Sequence, residues 1–402
     1  MMAYLADWLA LLVRWLHLIA GIAWIGSSFY FVWLDNHLLA PRIPDDEIAG
    51  ELWAVHGGGF YRAHKYRIAP PELPATLHWF YWEAYTTWLS GFALLCLLYF
   101  LRADAYLIDP QVWALSKSAA IALALGVLGG TWLLYDALCR SPLQRHSGAL
   151  ALVLGCLLGA EAYGLCHLFS GRGAFLLFGS SIGTLMVANV LLVIIPGQRE
   201  LVRAKQQGRS PDPAPGLRGK QRSVHNTYLT LPVLFVMISP HYPMTFGARY
   251  NWLVLMAMSL AGAGIRAWFV ARHRRAQWQP AALASLLLAA VAIAAVVIAL
   301  APQSLPASSA RGDSPADEDA RVQSILAQRC TPCHATRPMQ AGFTTAPNGV
   351  VLETIDEVRR HLPQVQQQLA TRAMPLGNLT GMTPEERALF LRWTDRAAAG
   401  AR

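Results

Sequence analysis

The densest chemistry in this 402-residue sequence lies near its C-terminus, where Cys330, Thr331, Pro332, Cys333 and His334 form a C-x-x-C-H sequence. That spacing is the signature of covalent c-type haem attachment. Two thiols add to the two vinyl groups of one macrocycle, and the adjacent imidazole reaches the iron from one face. A disulfide or a thioredoxin-like pair would use the two cysteines alone, and neither needs the histidine. A sixth iron ligand is expected downstream. Met374, stiffened by Pro375, is the preferred thioether, with Met382 and Met339 as competitors. Cys330 and Cys333 are thus the expected covalent anchors, and His334 and Met374 the axial pair. The other cysteines, Cys96, Cys139, Cys156 and Cys166, show no ligand spacing and read as small apolar packing residues.

A second set of candidates consists of ionisable groups inside apolar runs, where they are costly and functional by default. His17, Gly21, Trp24 and Ser28 recur at four, three and four residues, which puts them on one helix face. An imidazole with a glycine one turn away could hold a flat macrocycle such as a non-covalent haem b, with Arg14 meeting its propionates. A histidine hydrogen-bonded within a helix bundle is the competing reading. Glu161 should be paired or protonated, because a bare carboxylate in a span is unfavourable. His167 and His241 read either as haem ligands or as interfacial residues.

A third concentration runs from His56 through Gly57, Gly58, Gly59, Phe60 and Tyr61 to His64, Lys65, Tyr66 and Arg67, followed by the aromatic run at 77–83 that contains His78. Glycines permit close backbone approach, aromatic rings could stack on a planar heterocycle, and Lys65 or Arg67 could compensate an anion. Gly57, Gly58, Gly59, Tyr61, Lys65 and Arg67 are therefore candidate substrate-binding residues. A tight turn beside an interfacial aromatic belt is the plainer alternative.

The elements that must position these groups are membrane helices. Hydrophobic residues make up 54% of the chain and charged ones 14%, which excludes an ordinary soluble protein. Eight apolar runs are expected to span, at 8–34, 84–101, 118–138, 148–169, 174–195, 226–240, 252–271 and 281–300. The first has no basic flank or small-residue cleavage site and reads as a retained helix.

Lys and Arg number 4, 2, 7 and 3 in the odd connections, but only 2, 1 and 1 in the even ones. The positive-inside rule then makes the odd connections cytoplasmic and puts both termini outside. The richest connection, 196–225, reads mainly as a solvated topogenic loop, with anion binding as the lesser possibility. Nearly all of the net charge of +9 belongs to the first 300 residues, so loop asymmetry explains it better than a nucleic-acid partner.

The expected architecture is all-α: a polytopic bundle of eight transmembrane helices with a small class I-like cytochrome c domain appended. Residues 1–300 form the bundle, 301–319 a flexible Pro- and Ser-rich linker, and 320–402 the haem domain. A closing helix is expected over 383–397, capped by Thr383 with Pro384 at its first position. Covalent haem attachment takes place on the periplasmic side of bacterial membranes, which agrees with the charge count.

Three segments carry a further signal: HGGGFY at 56–61, LHWFYWEAYTTWLSGF at 77–92 and HNTYLTLPVLFVMIS at 225–239. Together with the trailing C-x-x-C-H domain they resemble the bacterial membrane-bound urate oxidase family, also described as a urate hydroxylase with a cytochrome c domain. The resemblance implies oxidation of urate to 5-hydroxyisourate in purine breakdown at the bacterial inner membrane, with the N-terminus and the cytochrome domain periplasmic. Electrons would leave through the haem to a respiratory acceptor such as a soluble cytochrome or a terminal oxidase. Under that chemistry His56, His78 and His225 are candidate proton acceptors. The segment RWLHLIAGIAWIGSSF is similar to the first helices of small membrane haem-binding oxidases, which favours His17 as a haem ligand. Two other classes stay open: an electron-transfer subunit serving a separate dehydrogenase, and a purine transporter with a redox tail, although no internal repeat supports the latter.

Overall fold

The computed structural model describes residues 2–272, 280–301, 315–340, 343 and 345–400. Its first unit is a bundle of antiparallel helices. α1 (Met2–His37) runs the length of the bundle and is followed by a hairpin of β1 (Ile48–His56) and β2 (Gly59–Tyr66). α2 (Trp82–Leu94) continues into a π-helical turn (Leu95–Phe100), and a short α3 (Ala103–Tyr106) lies beyond it. α4 (Lys117–Arg140) and α5 (Ser147–Leu168) come next. α6 (Gly171–Asn189) then passes through a second π-helical turn (Val190–Ile194) into α7 (Ile195–Gln206). α8 (Pro213–Ile238), α9 (Pro243–Phe246), α10 (Asn251–Arg272) and α11 (Pro280–Ala299) complete the bundle.

Among the described residues, six helices are long and apolar enough to cross a membrane: α1, α4, α5, α6 with α7, α10 and α11. α2 packs along α1, and α8 lies between α6 and α10. α6 is the most enclosed helix, burying Phe175, Leu177, Phe178 and Ile182. Its Gly179 is needed there, because a Cβ would come within 2.7 Å of Val236 on α8. α1 and α11 contain few fully buried residues and lie at the outside of the bundle, α1 against α2 and α11 against α10.

Within the bundle, the described chain departs from the sequence expectation in two places. The fold is not purely helical, since 48–66 forms a hairpin whose turn residues Gly57 and Gly58 both have positive φ, 59° and 80°. Two consecutive left-handed positions suit glycine and match the strand twist. The connection 196–225 is also not an open loop. Most of it is helical, because α6 runs on into α7, and Asp212 caps α8 by accepting from the Ala214 N–H, with Pro213 in the first turn.

The second unit begins with α12 (Pro315–Arg329), inside the stretch read as linker; residues 302–314 lie outside the described residues. α13 (Thr331–His334), α14 (Ile355–Arg360), α15 (Leu362–Ala370) and α16 (Pro384–Gly400) follow. Val322, Leu326, Val358, Leu369, Phe390 and Trp393 fill its core. Arg329 ties α12 to α16 through two bonds to Glu386, at 2.9 and 3.0 Å.

Candidate functional site

The bundle has two chemically distinct ends. One carries Arg140, α7, the start of α8 and the hairpin, and is rich in cations; the other carries α3 and α9 and bears the C-terminal unit. At that second end, a Cβ on Gly377 would come within 2.8 Å of the Ala105 carbonyl, and one on Gly247 would overlap the carbonyl oxygen of Thr371. Ala373 packs against the main core of the bundle. The segment 371–378, which contains Met374, is therefore the face that meets the bundle.

In the C-terminal unit, His334 Nδ1 lies 2.8 Å from the Val350 carbonyl. A carbonyl only accepts, so Nδ1 carries the proton and Nε2 keeps a free lone pair, the arrangement an iron-ligating imidazole needs. Cys330 and Cys333 precede it as free thiols. Burial pushes the Cys330 thiol up to about 12 and raises that of Cys333.

The three candidate thioethers occupy different surroundings. Met382 is 1% exposed and packed in the core, whereas Met339 is 88% exposed. Met374 is half-buried, and its backbone is held by an N–H bond to Gln368 and by Arg387 donating to its carbonyl. Thr383 and Glu386 form the expected capping box at the start of α16.

His17 shows the same hydrogen bond inside the bundle. Its Nδ1 donates to the Thr87 carbonyl at 2.9 Å, with Ser90 Oγ at 3.2 Å, again leaving Nε2 free. The ring sits where a side chain on Gly91 would otherwise be, since a Cβ there would lie 2.8 Å from His17 Cε1. Gly21 faces Thr87 at ordinary contact distance, and Trp24 and Ser28 line a small cleft with Met186, Asn226 and Thr230. Arg14 and Arg172 both act on Tyr99 electrostatically, and Arg172 also lies over the Tyr106 ring at 5.3 Å. Sequence reasoning singled out Arg14 and missed Arg172, which falls at the start of a helix far along the chain. His167 is exposed at the end of α5, with Nδ1 donating to Tyr163, and His241 lies in the turn after α8. Both carboxylate oxygens of Glu161 are buried, with Ser181 and Thr131 as polar neighbours.

At the cation-rich end the hairpin presents the first-loop candidates. Gly57 and Gly58 make its turn, Gly59 opens β2 opposite His56, Tyr61 is exposed, and Lys65 pairs with Asp35 at 2.7 Å. Arg67 Nε donates to the Asp46 carbonyl. Glu51, 2% exposed, takes two bonds from Arg62 and one from the Arg42 N–H. His56 and His78 are exposed, at the turn and in the segment before α2.

His225 is enclosed in a polar network that composition could not reveal. Asn189 donates to the Tyr135 hydroxyl at 2.9 Å, and that hydroxyl is hydrogen-bonded to His225 Nδ1 at 2.8 Å. Asn189 also donates to Asn226, which donates to the Met186 carbonyl. One turn along, Asp136 receives both Arg222 at 2.7 Å and Arg140 at 2.6 Å, and Arg222 lies over the Tyr135 ring. Three distant stretches of sequence, on α4, α6 and α8, meet here, which no local spacing encodes.

The family model described as urate oxidase N-terminal matches residues 3–301 of the chain. No curated protein and no solved structure matches it.

Proposed function

Because the chain belongs to the urate oxidase N-terminal family, we propose that it is a membrane-bound enzyme that oxidises urate to 5-hydroxyisourate and passes the electrons through a fused c-type cytochrome. The match across residues 3–301 carries this reading. Eight helices cross the bilayer in it: the six that are long and apolar enough by themselves, α2 with its π-helical turn, and the apolar half of α8. The cation-rich end faces the cytoplasm, where urate is produced, and the C-terminal unit sits in the periplasm.

The reaction consumes urate monoanion and water and yields 5-hydroxyisourate, two electrons and one proton. A planar anion needs fixed N–H donors and stacking surfaces, and the released proton needs an acceptor within reach of the ring. His56, His78 and His225 are the candidate acceptors at the cytoplasmic end. Of these, His225 has its orientation set by Tyr135 and Asn189, as a proton-handling imidazole requires.

Cys330 and Cys333 would hold a haem c by thioether bonds, and His334 Nε2 and Met374 would serve as its iron ligands. Such a haem would supply a one-electron centre on the outer side, accessible to a respiratory acceptor such as a soluble cytochrome or a terminal oxidase. The hydrocarbon between the two ends is about 30 Å thick, too far for one electron step in useful time. His17, with Nε2 free and Gly91 making room for its ring, fits a second, non-covalent haem b on the way, with Arg14 and Arg172 placed for propionates. His167, exposed at the outer end of α5, is the weaker candidate for the same group.

An anaerobic visible spectrum of detergent-purified protein tests the whole reading, with dithionite as the full-reduction reference and pyridine haemochrome to separate b from c. Reduction of the haems by urate is the expected result. If dithionite reduces them and urate does not, the chain is an electron-transfer subunit for another dehydrogenase. One c-type haem and nothing else in active protein would remove the membrane haem from the scheme.

A further inference from the structure

Between the cytoplasmic-end residues of α4, the second π-helical turn, α7 and the start of α8 lies a cavity of about 330 Å³. That is at the lower end of the range for small-molecule sites, roughly 300–1,000 Å³. Leu192, Val193, Pro196 and Pro215 give it apolar walls, and Arg140, Arg218, Gln221, Arg222 and Glu200 give it polar ones. We propose that this cavity is the urate site, so this inference rests on the function proposed above.

Charge is the first argument. Arg140 and Arg222 share one carboxylate, Asp136, while Arg218 adds a third guanidinium, and Glu200 is engaged by Arg203 at 3.3 Å and Arg209 at 3.5 Å. The lining therefore carries surplus positive charge, which suits a monoanion.

Unfilled hydrogen bonding is the second. Arg222 is 3% exposed, yet its Nη1 has no partner. A buried N–H left without an acceptor is costly, and a ligand oxygen or ring nitrogen at the cavity wall would satisfy it. Planar guanidinium forks match the adjacent oxygen and nitrogen acceptors of a urate anion, and the Gln221 amide offers both a donor and an acceptor to its ring edge.

Local backbone is the third. The wall formed by Leu192 and Val193 belongs to a π-helical turn, a distortion that recurs at functional sites because it re-aims side chains at some loss of regular bonding. Behind the cavity, Cys139 on its lining lies 3.8 Å from His225 Nδ1, so the ordered Tyr135–His225 pair stands next to the proposed substrate.

Equilibrium binding of radiolabelled urate to full-length, haem-loaded protein tests this. The protein is kept fully reduced by dithionite so that no turnover occurs. Arg218→Gln and Gln221→Ala are expected to weaken binding about tenfold or more, the effect of losing one charge-assisted hydrogen bond. Lys220→Gln removes the same charge from an exposed position off the lining and should stay within about twofold. Wild-type binding by both cavity variants, or equal weakening by Lys220→Gln, would overturn the site. So would displacement of urate by an equal concentration of inorganic phosphate, which would mark a general anion site. If the unaltered protein neither binds urate nor is reduced by it, the functional reading itself fails. If urate reduces the haems in unaltered protein and the cavity variants bind it normally, only the location fails.

Discussion

Two imidazoles in unrelated parts of the fold, His17 and His334, carry the same device: Nδ1–H donated to a backbone carbonyl and Nε2 left free. The bond sets tautomer and ring orientation together, which is what an iron ligand requires before iron arrives. For His17 the space comes from Gly91. Gly91→Val would push a branched side chain into the position of the ring, so the b-type signal in pyridine haemochrome should be lost while one c-type haem per chain remains. An unchanged b signal would remove His17 from the ligand set.

For the outer haem, Met374→Ala should shift the c-type spectrum and slow reduction of an external acceptor, with urate binding to the reduced protein unchanged. An unaltered spectrum would point to Met382, which would then have to leave a core where it is 1% exposed. At this scale the C-x-x-C-H spacing is visible without any structure, because its residues are contiguous. Gly91 and Arg172 are not, because their significance exists only once α2 and α6 are packed.

Helices were easier to read than their ends. The apolar runs announced six of the described long helices, and the capping box at Thr383 and Glu386 was visible as a local pattern. The hairpin was missed because GELWAVH and GFYRAHKY alternate only partly, and the flanking histidines and glycines drew attention to ligand chemistry instead of turn geometry. The helical nature of 196–225 was missed because Pro and Gly dominated its appearance, although Pro213 in a first turn favours a helix start.

The capping box also makes a testable contribution to the C-terminal unit. The Glu386 carboxyl is held below the usual carboxylate range chiefly by the Arg329 guanidinium, which outweighs the opposing effect of burial, with the Thr383 N–H adding to it. A depressed carboxylate stabilises the fold above its unfolded pKa, about 4.3, and that contribution is lost as pH falls through the lower folded value. Arg329→Gln should therefore lower the Soret-monitored melting temperature of the domain at pH 7. The gap between variant and parent should shrink as pH drops below about 4. A gap that stays constant across that range would mean that Arg329 acts through packing or its bond to the Thr380 carbonyl.

For the molecule as a whole, the contact between the two units decides whether the chain works as one electron path. The docking surface is built from α3 and α9, which lie in the second and sixth connections, where the sequence places few cations. Charge asymmetry and docking side are independent observations, and both put the C-terminal unit at the same end of the bundle. The face it turns inward contains Met374, between Thr371, which meets Gly247, and Gly377, which meets Ala105.

Gly247 is the place to test this, because a side chain there overlaps Thr371 of the other unit while its own backbone, at φ −86°, accepts any residue. Gly247→Val should leave both haem spectra and urate binding intact, since it touches neither site. Electron arrival should suffer, because transfer depends on close, fixed placement of the two centres. In anaerobic stopped-flow with urate, the b-type band should reduce at the parental rate and the c-type band on the order of tenfold more slowly. Equal slowing of both bands would place the defect in the bundle. An unchanged c-type rate would mean that the docked arrangement is not the one that carries electrons.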